Sequence, residues 1–168
     1  MADLEQAKQF ASHAHRTQRY AEEPYTVHLA AVELVLRTFA QPDEPEPEML
    51  QAAWLHDTLE DTGTTPESLE ALFGARVLAL VFAVTQVPHA LRHERVHSTY
   101  PKIRATPGAA QLKLADRISN VERSVQSADS RHLETYRAEQ PEFESHVRVP
   151  GEHDAMWDYL NVLLASGP

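Results

Sequence analysis

The sequence predicts an all-α fold, a single helical bundle of about eight to ten helices across the chain. Three observations lead there. Apolar residues recur at three- and four-residue intervals in run after run. No stretch alternates apolar and polar residues over the length of a strand. Proline or glycine punctuates the chain between the periodic runs. At 168 residues the chain is of single-domain size, 1–168, and long enough to bury a core without disulfide or metal staples.

The elements follow in order. Leu4 to Arg19 carries Leu4, Ala7, Phe10, Ala11 and Ala14 on one face. Glu22-Glu23-Pro24 breaks that pattern, and Pro24 suits the first turn of a second helix. That helix runs to Phe39 with Val27, Ala30, Ala31, Leu34 and Val35 expected inward. Gln41 to Pro47, with three prolines and three acidic residues, reads as a solvent loop. A central helix follows from about Glu48 to Leu59. Thr65 caps a short helix with Pro66 in its first turn, and Gly74 ends it. Arg76 to Val84 is apolar and helical, and His89 to Ala105 is polar and helical in places, interrupted at Pro101. After Pro107-Gly108, Ala109 to Ser124 sets Leu112, Ala115, Ile118 and Val121 on one face. Helices near Ser130–Ala138 and Glu152–Leu164 close the chain, the latter docked through Trp157 and Tyr159.

Composition excludes several classes. Cysteine is absent, so there is no disulfide framework, thiolate nucleophile or cysteine-based zinc site. No signal peptide is visible at the N-terminus, and no apolar run approaches the ~20 residues of a membrane span. The expectation is a cytoplasmic protein without membrane contact. A formal net charge of −10 argues against a nucleic-acid polymer as partner, because such binders carry a basic patch. A small phosphorylated substrate needs only a local cation.

The chemistry gathers at QAAWLHDTLEDT, residues 51–62. An apolar helical run leads into His56-Asp57, and Glu60 and Asp61 follow one turn later. Three carboxylates and an imidazole so close repel or compete unless a cation uses them. Two further polar residues interrupt apolar helical faces, His28 and Asp116. Each has a plainer reading, His28 as a hydrogen-bonded core histidine and Asp116 as the partner of Arg117 or Arg123. Taken together, His28, His56, Asp57 and Asp116 make a two-nitrogen, two-oxygen set suited to Mn²⁺, Fe²⁺, Co²⁺ or Zn²⁺. Glu60 or Asp61 is then placed to take a proton from water, and Asn120 to hydrogen-bond a ligand. The reaction class is metal-assisted hydrolysis of a phosphorus ester or anhydride. His89, His93 and His97, four apart, read as polar surface.

The pattern H…HD…D on successive helices resembles the HD phosphohydrolase superfamily. PYTVHLAAV, AAWLHDTLEDTGTTPESLEALFG and LKLADRISNV are similar to the hydrolase domain of the RelA/SpoT alarmone enzymes, over roughly residues 5 to 126. The chain length resembles that of the stand-alone small alarmone hydrolases, the metazoan SpoT homologue among them. The resemblance implies an all-α HD fold and a Mn²⁺-dependent enzyme, one ion per subunit. It implies removal of the 3′-pyrophosphate of (p)ppGpp, as a monomer or homodimer. By position, His28, His56, Asp57 and Asp116 would hold the ion, Glu60 and Asp61 would activate water, and Asn120 would contact the ribose. Tyr136 matches a tyrosine placed at the nucleotide. In QRYAEEPY, Arg19 stays, but Tyr20 stands where the family carries a lysine, with Glu22 and Glu23 after it. A tyrosine stacks on a base but brings no charge to a phosphate, so (p)ppApp joins (p)ppGpp as an expected substrate. Arg95 and Lys102 are the remaining candidates for phosphate contacts. The alternatives are another HD phosphohydrolase acting on a different nucleotide, and a non-catalytic nucleotide-binding module.

Overall fold

The computed structural model describes residues 2–40, 42–89, 91–127 and 130–166. Gln41 of the acidic loop and Ala90 of the polar 89–105 stretch lie outside the described residues. The fold is all-α, with eleven helical segments and one two-residue ribbon among the described residues.

Helix α1 (Leu4–Ala14) starts on a capping box, with the Asp3 carboxylate accepting from the Gln6 backbone and Gln6 returning the bond. It ends five residues before Arg19, where the chain turns into an antiparallel ribbon, β1 (Arg19–Tyr20) with β2 (Glu23–Pro24). The sequence reading missed this ribbon, which is too short to show a period, and set Pro24 in a helix instead. Ala21 takes a φ of 53° to close the turn, a left-handed conformation that costs an L-residue about 1–2 kcal/mol.

Helix α2 (Thr26–Ala40) buries His28, Leu29, Val32, Glu33, Val35 and Leu36. The expected inward face was misplaced, since Val27 is 40% and Leu34 65% exposed. Apolar residues surround this helix, so their period alone does not choose a face. Two polar residues choose it. Glu33 is buried because Trp54 Nε1 (2.6 Å), Lys8 Nζ (2.9 Å) and Arg37 Nε (2.9 Å) all donate to its carboxylate.

The central helix is two helices, α3 (Pro47–Leu55) and α4 (Thr58–Asp61), where a single run to Leu59 was expected. Helices α5 (Pro66–Phe73) and α6 (Ala75–Val84) meet at Gly74, whose φ of 88° suits glycine. Helices α7 (Arg92–His97) and α8 (Tyr100–Ala105) part at Ser98-Thr99, and Pro101 sits in the first turn of α8 instead of breaking it. Helix α9 (Ala109–Gln126) packs on α2, α3, α6 and α8 and on the last two helices, α10 (Ser130–Val147) and α11 (Asp154–Ala165). Helix α10 continues past Pro141, well beyond the expected end at Ala138. Trp157 is buried against Phe143, and Tyr159 donates to Glu122 at 2.6 Å, which docks α11 as expected.

Candidate active site

The junction between α3 and α4 sets the geometry. His56 Nδ1 donates to the Ala53 carbonyl (2.8 Å) and Thr58 Oγ1 to the Leu55 carbonyl (2.6 Å), so side chains take acceptors that a continuing helix would use. Asp57 has φ −100° and ψ −1°, outside the ordinary helical well. On a regular helix adjacent side chains diverge by about 100°. Here they converge, with His56 Nε2 2.9 Å from Asp57 Oδ2.

His28 on α2 and Asp116 on α9 meet them. His28 Nε2 lies 3.3 Å from His56 Nε2, 3.7 Å from Asp57 Oδ2 and 3.3 Å from Asp116 Oδ1. His56 Nε2 is 3.7 Å from Asp116 Oδ1. Ligand bonds of about 2.1 Å put neighbouring donors roughly 3.0 Å apart in an octahedron and 3.4 Å in a tetrahedron. His28, His56 and Asp116 therefore bring together donors for one divalent ion, and Asp57 adds an oxygen beside the two histidines. The far nitrogens agree with this, because His56 Nδ1 is committed to a backbone carbonyl and His28 Nδ1 faces Ser119 Oγ at 3.2 Å, which leaves both Nε2 atoms to face the centre.

Two residues that the sequence reading did not single out hold this set, and a third lines the cavity beside it. Tyr25 Oη donates to Asp57 Oδ2 at 2.5 Å. Lys113 Nζ donates to Asp116 Oδ2 at 2.8 Å, so the cation beside Asp116 is Lys113, not Arg117 or Arg123. Arg92 pairs with Glu139 through two bonds, at 2.7 and 3.2 Å, on the wall of the same cavity. Tyr25 and Lys113 each stand three residues before a site residue, the spacing that puts side chains on one helical face, and that signal could have found them.

Electrostatics keeps the centre charged. Burial alone would push the Asp116 carboxyl up, yet Lys113, His28 and His56 hold it well below the usual carboxylate range. Burial opposes ionised Asp57 too, and His56 outweighs it and lowers that carboxyl. Burial disfavours a charged His56, but Asp57 and Asp116 raise it well above its ordinary value. Glu60 is an exposed residue, but partial burial of its carboxyl against the cleft, helped by the Asp57 carboxylate, pushes it up despite the Gln86 N–H.

Two cavities flank the centre. One, of about 180 Å³, is lined by His28, Asp57 and Asp116 and by the cations Arg92, Lys113 and Arg117. The other, of about 410 Å³, is lined by Tyr20, Ala21, Arg123, Ser124 and His132. Asn120 and Tyr136 line both. Asn120 Nδ2 donates to Asp116 Oδ1 (2.7 Å), and its Oδ1 accepts from Tyr20 Oη (2.9 Å). Tyr20 packs on the His28 ring at 5.0 Å.

The other singled-out residues lie further out. Asp61 is exposed and accepts from Gln18 Nε2 at 2.7 Å. Glu60 accepts the Gln86 backbone N–H at 2.9 Å and lines a third cleft, of about 480 Å³, together with Arg95 and Lys102. Gln86 borders both this cleft and the cationic cavity, so the two are neighbours. Lys102 Nζ donates to the Thr85 carbonyl, and Arg95 Nη1 to the His89 carbonyl at 3.0 Å. Arg19 is exposed on the ribbon and lines none of the three.

The family model for the HD domain matches residues 7–142. The chain is 39% identical over 124 residues to the mouse guanosine-3′,5′-bis(diphosphate) 3′-pyrophosphohydrolase MESH1, a match covering 71% of this chain and 68% of that protein. It is 39% identical, again over 71% of its length, to the Aquifex aeolicus guanosine-3′,5′-bis(diphosphate) 3′-pyrophosphohydrolase, of which the match spans only 17%. A solved structure of a metazoan ortholog of SpoT, described as hydrolysing ppGpp, superposes with a TM-score of 0.82 at 27% identity, covering 98% of this chain and 95% of that one. No helix among the described residues is long and apolar enough to cross a membrane. With the family model spanning most of the chain, and histidines and aspartates from three separate segments meeting at one centre, the chain belongs to the HD-domain family.

Proposed function

We propose that the chain is a metal-dependent pyrophosphohydrolase that removes the 3′-diphosphate of alarmone nucleotides, with residues 1–168 acting as one HD-type hydrolase domain. The observation that carries this reading is the convergence of four donors, His28, His56, Asp57 and Asp116, beside a cation-lined cavity and next to a nucleoside-sized one. The names of the relatives support the substrate class.

In this reading those four residues hold one Mn²⁺, and other divalent ions with N/O preference fit the same donors. A bound ion supplies Lewis acidity and an acidified water. The remaining steps belong to the chain. Asn120 and Tyr136 take the nucleoside, with Tyr20 against the base. Lys113 and Arg92 face the diphosphate and offset its charge. Glu60, or Asp61 beside it, accepts the proton of the attacking water as the bond from phosphorus to the ribose 3′-oxygen breaks. Products are GDP or GTP, or the adenine counterparts, and pyrophosphate. Arg19 on the ribbon, and Arg95 and Lys102 in the cleft beside the cationic cavity, reach substrate only at its outer edges. All these groups come from one chain, so a monomer suffices, and free nucleotide substrates fit action in the cytoplasm.

Tyr20 favours a second reading of base preference. Its hydroxyl is tied to Asn120, and Arg123 stacks over its ring at 5.7 Å while pairing with Glu23 at 2.8 Å. Tyr20 therefore brings aromatic surface but no charge to the pocket wall, and the cation over it is already paired with Glu23. That suits an adenine as well as a guanine.

The test is to strip metal, add Mn²⁺ with ppGpp, ppApp or a plain nucleoside triphosphate, and resolve products by anion exchange. Mn²⁺-dependent release of pyrophosphate from either alarmone supports the proposal, and the ratio of rates assigns the base. Turnover of the triphosphate alone would replace it with a different HD phosphohydrolase activity. No turnover by folded, metal-loaded protein would leave a binding module.

A further inference from the structure

Away from this centre, α7 and α10 bring together a second set of donors. His93 and His97 are four apart on α7, and their rings lie 4.0 Å from each other. Glu142 faces them from α10. One ligand atom from each of the three lies within 4.8 Å of the others. His97 Nε2 sits 2.8 Å from Glu142 Oε1, so the imidazole and the carboxylate already face each other across the two helices. His146, one turn past Glu142, adds a ring 5.7 Å from that of His97 and stacks on Tyr100.

We infer that His93, His97 and Glu142 form a second metal site, peripheral to the HD centre and selective for Zn²⁺-like ions, that ties α7 to α10. Two imidazoles four apart on a helix share one face and can hold one ion between them. A carboxylate from a facing helix makes a two-histidine, one-carboxylate set, which suits Zn²⁺, Co²⁺, Ni²⁺ or Cu²⁺ better than Mg²⁺ or Ca²⁺. With bonds of about 2.0–2.1 Å the donors would sit roughly 3.3 Å from one another, so His97 and Glu142, 2.8 Å apart, open slightly while His93 closes in. That is a movement within reach of an exposed His93 and a glutamate side chain.

The run His93-Glu94-Arg95-Val96-His97 matches the H-E-x-x-H spacing of zinc hydrolases, where the glutamate serves as base. Glu94 instead pairs with His89. The site is therefore assigned to holding structure, not to catalysis. Its consequence reaches the HD centre through neighbours in sequence. Arg92 precedes His93, Glu139 lies one turn before Glu142, and the bidentate Arg92–Glu139 pair lines the cationic cavity. An ion on His93, His97 and Glu142 fixes α7 on α10 and with it that wall.

The test uses the full chain, stripped of metal and then equilibrated with Zn²⁺ in dialysis, with Co²⁺ as a spectroscopic probe. Wild type should bind one more equivalent of Zn²⁺ than His93→Ala or Glu142→Gln, two exposed-edge variants that should fold normally. The visible ligand-field bands of low-coordinate Co²⁺ should fall by the same equivalent. Asp57→Ala separates this site from the HD centre, because it should keep the equivalent that His93→Ala loses. Equal Zn²⁺ stoichiometry in wild type, His93→Ala and Glu142→Gln would overturn the assignment, whatever the HD centre does.

Discussion

Replacing Glu60 by Gln separates catalysis from folding and metal binding at the proposed centre. The carboxylate accepts one backbone N–H, from Gln86, and an amide oxygen of the same shape can accept it as well. What is lost is the ability to take a proton. A positioned general base contributes about 10²–10⁴-fold, or about 2.7–5.5 kcal/mol of barrier, so kcat should fall by that factor while KM and metal content hold. The wild-type pH profile tests the same group. Because burial raises the Glu60 carboxyl, the base should lose activity as pH falls through a value above the ordinary glutamate range. The sign for stability is the opposite of a paired carboxylate. A raised folded value means that ionised Glu60 disfavours the fold once pH exceeds that value, so Glu60→Gln should melt no lower than wild type at neutral pH. Single-turnover kinetics, metal analysis and thermal melts on both proteins suffice. A kcat within threefold of wild type, at unchanged metal content, would refute Glu60 as the base and move the role to Asp61.

Three further outcomes follow from named contacts. Glu33→Ala strips the acceptor from buried Trp54 Nε1–H, while Lys8 and Arg37 can turn to water; the cost should be about 2–3 kcal/mol, a drop of roughly 4–10 °C in Tm by calorimetry. A loss below about 0.5 kcal/mol would mean that Trp54 finds another acceptor. Tyr25→Phe removes the hydroxyl that orients Asp57, so Mn²⁺ affinity, read by titration, should weaken about 10–100-fold with the fold intact. Tyr159, whose bond to the Glu122 carboxylate pushes its phenol up to about 12, gives stability present below pH ~10 and lost as pH rises through that value. Denaturant melts across that range should converge for wild type and Tyr159→Phe.

The four residues that meet at the proposed centre were legible because each breaks an apolar helical face, as His28 and Asp116 do, or joins a dense acidic word, as His56-Asp57 does. Their exact aim was not. A helix drawn unbroken through His56 and Asp57 turns their side chains apart, and only the side-chain bonds to the Ala53 and Leu55 carbonyls bring them together. The face of α2 was misread for the converse reason, because Glu33 counts as outward by polarity but is buried by its three donors. Lys113 was hidden in the KLADR word as one more cation. Glu60 and Asp61, adjacent in sequence, part company in space, one toward Gln86 and the other toward Gln18. The metal-like trio on α7 and α10 needs Glu142, forty-five residues past His97, which no local spacing could supply.

Lys113 has one more effect. Its ammonium, 2.8 Å from Asp116 Oδ2, gives that buried carboxylate a counterion that belongs to the chain itself. An ion held by His28, His56 and Asp57 would then join a centre whose Asp116 is already balanced in part by the fold. Chelation should therefore abolish activity while leaving Tm nearly unchanged.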